Sequence, residues 1–278
     1  MSLYCLSAKD GKLIWKVNVL KEHAGINPRW ENACSPLIVD DLVIIYGGGP
    51  QESFLAFDKD SGKVKWKTGS ELATHATPIL AKIHGVEQVV FFCQSGLVSL
   101  LPKSGEELWR QGFPYKVSTA ASPVVAGDLV YCSAGYGVGA GLYKISKRGS
   151  KFSSSQVWRK PNDVINHWST PVYHDGHLYG MFSFKKYGDG PLQCVELKTG
   201  MVKWSEDGYG PGNVILAGKH LLALSDKGEL SVVKASSSHY QELARKKLIS
   251  GKCWSTPILS EGKVLIRSTE EAVCLSVN

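Results

Sequence analysis

Apolar residues along this chain fall in short runs separated by pairs of polar turn residues, and helical spacing is essentially absent. One phrase recurs: Ser/Thr-Pro, an apolar run, a polar turn, then a second apolar run. It reads SPLIVDDLVIIYG at Pro36, TPILAKIHGVEQVVFFC at Pro78, SPVVAGDLVYCSAG at Pro123, STPVYHDGHLYGMF at Pro171 and STPILSEGKVLIRS at Pro257. GNVILAGKHLLALS at Asn213 repeats it without proline. Runs rich in Val, Ile, Leu and Tyr, split by Asp-Asp or Glu-Gly, predict β-hairpins. Proline suits the first strand position, where no ladder hydrogen bond is required. The only linker long enough for a helical turn is KEHAGINPRWEN, residues 21–32.

A second phrase follows each hairpin: a turn glycine with tryptophan four residues later. The pairs are Gly11/Trp15, Gly62/Trp66, Gly105/Trp109 and Gly200/Trp204. A fifth copy ends at Trp158 after a longer turn, and in a sixth Ala244 takes the tryptophan's place. Recurrence at this interval marks a repeat architecture. Each unit then holds four strands: two in the Pro-led hairpin, a third like FLAFD, and a fourth carrying the tryptophan. One such sheet cannot bury both its faces, and radial packing of several does so. A buried indole covers about 150–250 Å², enough to fasten one sheet to the next.

The expected fold is therefore all-β: a β-propeller of four-stranded antiparallel blades in one domain, residues 1–278. Residues 1–20 form a half blade. Residues 33–69, 75–112, 120–160, 168–206 and 211–248 form complete blades, and 254–278 a partial closing blade.

Composition narrows the function classes. The net charge of +7 is spread over lysines scattered through the repeats, without the clustering that tracks nucleic-acid phosphates. No apolar run is long enough to cross a bilayer as a helix. No basic start with an apolar segment opens the chain, so an export signal is expected outside it. The seven cysteines include no CxxC pair. Cys5, Cys194 and Cys274 share one repeat position, and Cys93 and Cys132 another, as expected of small buried fillers. Unpaired thiols lean toward a reducing setting.

SPLIVDDLVIIYGGG followed by SFLAFDKDSGKVKW resembles the repeat of PQQ-like, quinoprotein-type propellers, and the resemblance covers nearly the whole chain. It implies eight blades, of which this chain supplies most. It also offers two functions. One is a non-catalytic, BamB-like scaffold with protein partners, no cofactor and a periplasmic or envelope location. The other is an oxidoreductase holding PQQ and calcium. The enzymes need a general-base aspartate and often adjacent cysteines. This chain has no Cys-Cys pair, and Asp40, Asp41, Asp128 and Asp175 all fall in hairpin turns. The scaffold is therefore the expected reading, with carbohydrate binding as a third.

In a propeller, the residues before each innermost strand ring one mouth of the channel, where ligands collect. Here these are RWENAC, LATHA, VSTAA (117–121), NHW, GYGPG and GKCW. Their aromatic and polar members make the candidate site: Trp30, Glu31, Asn32, His75, Asn166, His167, Trp168, Tyr209, Lys252 and Trp254. Trp30, Trp168 and Trp254 are the tryptophans outside the glycine phrase. These groups either plug the channel or bind a planar, sugar-like or peptide ligand. His75 and His167 with Glu31 have the chemistry of a metal or acid–base set. HDGH (174–177) and DKDSG (58–62) read as turns, GYGVGAG (135–141) as a flexible loop, and the serines of KFSSSQ as loop insertions.

Overall fold

The computed structural model describes residues 1–116, 119–182 and 190–277. Among them the regular structure is strand, apart from one helical turn. β1 (Leu3–Leu6) and β2 (Leu13–Val17) form a two-stranded sheet, followed by one helical turn, α1 (Val19–Glu22). That turn overlaps the start of the 21–32 linker. Its N-cap is Asn18, whose side chain accepts from the Lys21 N–H, where the orphan amides of a helix start need a partner.

Five four-stranded sheets follow, each in sequential antiparallel order. The first is β3 (Leu37–Val39), β4 (Leu42–Tyr46), β5 (Phe54–Asp58) and β6 (Val64–Thr68). The second is β7 (Ile79–Ile83), β8 (Val86–Cys93), β9 (Gly96–Leu100) and β10 (Glu107–Gly112). The third is β11 (Val124–Ala126), β12 (Leu129–Ala134), β13 (Gly139–Arg148) and β14 (Lys151–Lys160). The fourth is β15 (Val172–His174), β16 (His177–Met181), β17 (Leu192–Glu196) and β18 (Met201–Glu206). The fifth is β19 (Asn213–Ala217), β20 (His220–Leu224), β21 (Glu229–Lys234) and β22 (Glu242–Lys247). A three-stranded sheet of β23 (Ile258–Ser260), β24 (Lys263–Arg267) and β25 (Ala272–Ser276) closes the order. These are the blades of a β-propeller.

The chain divides into two compact units. One is Met1–Val130 with Tyr143–Ser155, and the other is Tyr131–Leu142 with Gln156–Asn278. In both, sheets stack face to face, so the inner strands are buried on two sides. β4 shows the rule: Val43 and Ile45 pack with Leu3, Val17 and Phe57, while Ile44 and Tyr46 pack with Val89, Phe91 and Cys93. β20 repeats it, sending Leu221 and Ala223 toward Tyr179 and Cys194, and Leu222 and Leu224 toward Val264 and Ile266.

The turns are those the sequence signals. HDGH closes β15 onto β16 with Asp175 (φ 45°) and Gly176 (φ 80°), the left-handed pair of a type I′ hairpin. In DKDSG, the Asp58 carboxylate accepts from the Ser61 hydroxyl (2.7 Å) and N–H (2.9 Å), with Lys65 at 3.2 Å. Those bonds pull its pKa down to about 2. Two readings change. The serines of KFSSSQ lie in β14 and not in a loop. Only Gly135 to Val138 of GYGVGAG form a turn, while Gly139 begins β13.

The glycine phrase joins neighbouring sheets. The Trp15 indole Nε1 donates to the Lys59 carbonyl (2.9 Å), Trp66 to Pro102 (2.8 Å), Trp158 to Leu197 (3.0 Å) and Trp204 to Ser236 (2.8 Å). Each acceptor lies in the turn between the third and fourth strands of the next sheet. At the first two of these joints the indole also covers that turn's glycine. A Cβ added at Gly62 would lie 2.7 Å from the Trp15 ring, and one at Gly105 2.6 Å from the Trp66 ring. Trp109 differs because the next sheet has a long β13–β14 hairpin in place of that turn. Its Nε1 donates instead to the buried Gln88 side chain within its own sheet (2.7 Å).

A β-bulge lies beside Trp66. Ala56 pairs with Trp66 but Phe57 with Val64, so Lys65 is skipped. The same slip occurs beside Trp15, Trp109, Trp204 and Ala244. The extra residue reverses the face to which the tryptophan points.

Gly11 and Gly105 have nearly equal φ, 70° and 71°, but nothing lies within 4 Å of a Cβ added at Gly11. Gly11→Ala is expected to cost only the left-handed backbone penalty of about 1–2 kcal/mol. Gly105→Ala adds displacement of the indole, for about 2–4 kcal/mol in all. Urea unfolding of both variants checks the difference, and equal losses would contradict it.

Candidate functional site

The two units divide the candidate residues. Trp30, Glu31, Asn32 and His75 belong to the first; Asn166, His167, Trp168, Tyr209, Lys252 and Trp254 belong to the second. Val117 and Ser118 of the VSTAA segment lie outside the described residues.

In the first unit, Trp30 is 58% exposed with the Arg29 guanidinium 4.6 Å from its ring centroid and the His75 ring at 6.4 Å. Trp30 (φ 70°) and Glu31 (φ 67°) both adopt left-handed backbone, unusual for residues with large side chains. Glu31 accepts from the Asn27 amide. Asn32 accepts from the Cys34 N–H (3.1 Å) and donates to the Tyr46 carbonyl (3.4 Å), so it shapes the loop. Beside it lies a recess of about 310 Å³ lined by Asn27, Glu31, Asn32, Cys34 and Tyr46, among others.

In the second unit an aromatic strip forms. The Tyr136 ring meets His167 edge-on at 4.9 Å, His167 meets Trp168 at 5.5 Å, and Trp168 meets Trp254 at 5.9 Å. The Lys252 ammonium sits 5.4 Å from the Trp254 ring centroid. Both ends are open: Tyr136 is 60% exposed and Trp254 51%. His167 is buried, with its ring so close to Gly135 that a Cβ there would lie 2.6 Å from its Nδ1. Gly135 therefore permits the Tyr136–His167 contact. Asn213, holding the Trp254 carbonyl (3.1 Å) and the Thr256 hydroxyl (3.2 Å), fixes the segment carrying Trp254.

Two sequence candidates turn inward. Asn166 is fully buried, donating to the Met181 carbonyl (2.8 Å) and accepting from the Tyr131 hydroxyl (2.6 Å). Tyr209 is buried against Arg245, its hydroxyl 2.9 Å from that of Tyr240. Both position backbone and neighbouring sheets. Tyr136, conversely, is a site residue that the sequence reading missed, because its glycine-rich surroundings signal a loop. His23, paired with Glu52 at 2.7 Å, also went unnoticed.

Among the described residues no three His, Cys, Asp or Glu side chains are grouped to hold a metal ion. Asp40, Asp41, Asp128 and Asp175 sit between hairpin strands, which leaves them in turns and not in a shared acidic cluster. All seven cysteines are free thiols. Burial pushes the thiols of Cys93 and Cys132 well up, and that of Cys194 up to about 11. Cys274, on the last strand, is exposed.

The family described as "Outer membrane protein assembly factor BamB" matches residues 1–206. Among solved structures, BamB from Moraxella catarrhalis aligns with a TM-score of 0.68 at 15% identity, covering 98% of this chain and 75% of its own. The quinohemoprotein alcohol dehydrogenase from Comamonas testosteroni aligns with a TM-score of 0.60 at 12% identity, covering 95% and 59%. A computationally designed protein, Ika8, aligns with a TM-score of 0.52 at 9% identity, covering 96% and 87%. These likenesses are of fold. No curated protein matches the chain at a significant level.

Thiol titration checks the burial. At pH 8 a chromogenic disulfide should react fastest at the exposed thiol, a phase lost in Cys274→Ser, more slowly at the half-buried Cys5 and Cys34, and at Cys93, Cys132 and Cys194 only on unfolding. The raised thiols also set a pH dependence. Their contribution to stability is complete below about pH 8.5, where unfolded thiols begin to ionise, and declines as pH rises further. Rapid labelling of the buried three would refute this.

Proposed function

The chain belongs to the family of the outer membrane protein assembly factor BamB, and from that premise we propose that it is a non-catalytic propeller that binds a protein partner in the cell envelope. The observation that carries this is the strip Tyr136–His167–Trp168–Trp254 with Lys252. Tyrosine and tryptophan supply most of the energy of protein interfaces, because each offers a large rigid surface at little entropic cost. Here the buried middle of the strip anchors two exposed ends. The Lys252 ammonium favours a partner segment with an acidic group beside an apolar one. No helix among the described residues is long and apolar enough to cross a membrane.

Affinity capture from an envelope extract tests the reading. The wild-type chain should retain a defined partner, and Tyr136→Ala/Trp254→Ala should lose it by at least tenfold while melting at the same temperature. Both residues are exposed, so truncation removes contact area and little core. Retention of the partner by the double variant would defeat the assignment. The likeness to alcohol dehydrogenase is addressed by supplying PQQ and Ca²⁺ and following dye-linked oxidation of alcohols. No turnover is expected, and turnover would replace the scaffold with an oxidoreductase. Selective glycan binding lost in the same double variant would instead make the strip a carbohydrate site.

A further inference from the structure

β13 and β14 are ten residues each, against five or six for the third and fourth strands of the other four-stranded sheets. The turn between them lies at 149–150, with Gly149 at φ 61°. From Leu129 to Lys160 the sequence has no acidic residue, while Lys144, Lys147, Arg148 and Lys151 cluster at the tip.

The tip is held on one side only. Ile145 is buried and its carbonyl lies 2.8 Å from His84 Nε2. The Phe152 ring is 6.5 Å from that of His84, and the Ser154 hydroxyl donates to the Arg110 carbonyl (2.8 Å). The other side is open. Lys144, Ser146, Arg148, Ser150, Lys151, Ser153 and Ser155 are exposed there, and Lys147, which shares the face of Ile145, is exposed beside the turn. Lys144 has Asp128 at 3.7 Å and Lys147 lies over Phe152 at 5.4 Å. Among the described residues no carboxylate pairs with Lys147, Arg148 or Lys151.

We propose that this tip is a contact site for the anionic phospholipid headgroups of a bilayer surface. The outward side from 144 to 155 offers only cations, hydroxyls and glycine backbone. Single-stranded nucleic acid would need aromatic platforms for its bases. A tight protein interface would need an apolar or aromatic anchor for a pocket. Headgroup phosphates need point charges and hydroxyl donors at a convex surface, with no insertion. The bonds to His84 and Arg110 hold the hairpin backbone in place, so its ordering is not part of the cost of meeting such a surface. This contact is independent of the aromatic strip and would add a second attachment to the envelope.

Co-sedimentation of the full chain with vesicles tests it. Binding is expected to vesicles of phosphatidylglycerol in phosphatidylcholine, not to phosphatidylcholine alone, and to weaken as NaCl is raised. Lys147→Gln/Arg148→Gln/Lys151→Gln should lose affinity by about fivefold for each cation removed. The control Lys9→Gln/Lys103→Gln/Lys198→Gln removes the same charge at exposed positions elsewhere and should keep most of the binding. Equal loss in the control would reduce the effect to net charge and overturn the site. So would wild-type binding to neutral vesicles, or unchanged vesicle binding by the hairpin variant together with lost binding to duplex DNA or an acidic polypeptide.

Discussion

The fold rests on one requirement: a partly buried indole N–H must find an acceptor, and it finds one on the next sheet. The bond from Trp15 to the Lys59 carbonyl and its counterparts at Trp66, Trp158 and Trp204 satisfy a polar atom and align two sheets together. The acceptor turn must be bare on the side the ring covers, which is why glycine stands at 62 and 105. Left-handed backbone gives a second reason for the same residue. At these two places glycine and tryptophan are two halves of one joint, divided between consecutive repeats. Where the following turn is absent, the sequence adjusts. Trp109 bonds to Gln88 instead, and contacts of the basic hairpin with His84 and Arg110 secure that sheet.

Much of this was legible in the sequence. Short apolar runs split by Asp-Asp, Asp-Gly or Glu-Gly pairs specify hairpins by local chemistry, so strands such as LVIIY and HLYGM could be read directly. The constant step of four positions from glycine to tryptophan likewise reflects a fixed turn. The bulges beside Trp15, Trp66, Trp109 and Trp204 could not be read, because a one-residue slip exists only in the pairing of two strands. Lys65 looks like any other outward lysine until Ala56 is seen opposite Trp66.

The candidate site was legible in part for a related reason. Segments before the inner strands carry dense polar and aromatic groups, but sequence position does not fix which way each side chain turns. Asn166 and Tyr209 turn inward and are fully bonded; Trp254 turns outward. Tyr136 adopts left-handed backbone (φ 56°), as does Trp30, a costly conformation for a bulky residue. Both are among the most exposed aromatic rings of the chain. The inward contacts of Asn213 and Gly135 hold the aromatic strip in place, so part of the interior serves the surface.

The acceptor in each joint is a main-chain carbonyl, not a side chain. At these joints a sheet therefore recognises its successor by the path of the backbone, and the side chains of the acceptor turn are free to drift. Copies of the unit can be duplicated, shuffled or lengthened without renegotiating their neighbours. That freedom accounts for a shared architecture with BamB at 15% identity. It also explains how one repeat could exchange its turn for a long cationic hairpin while the repeats on either side kept their places.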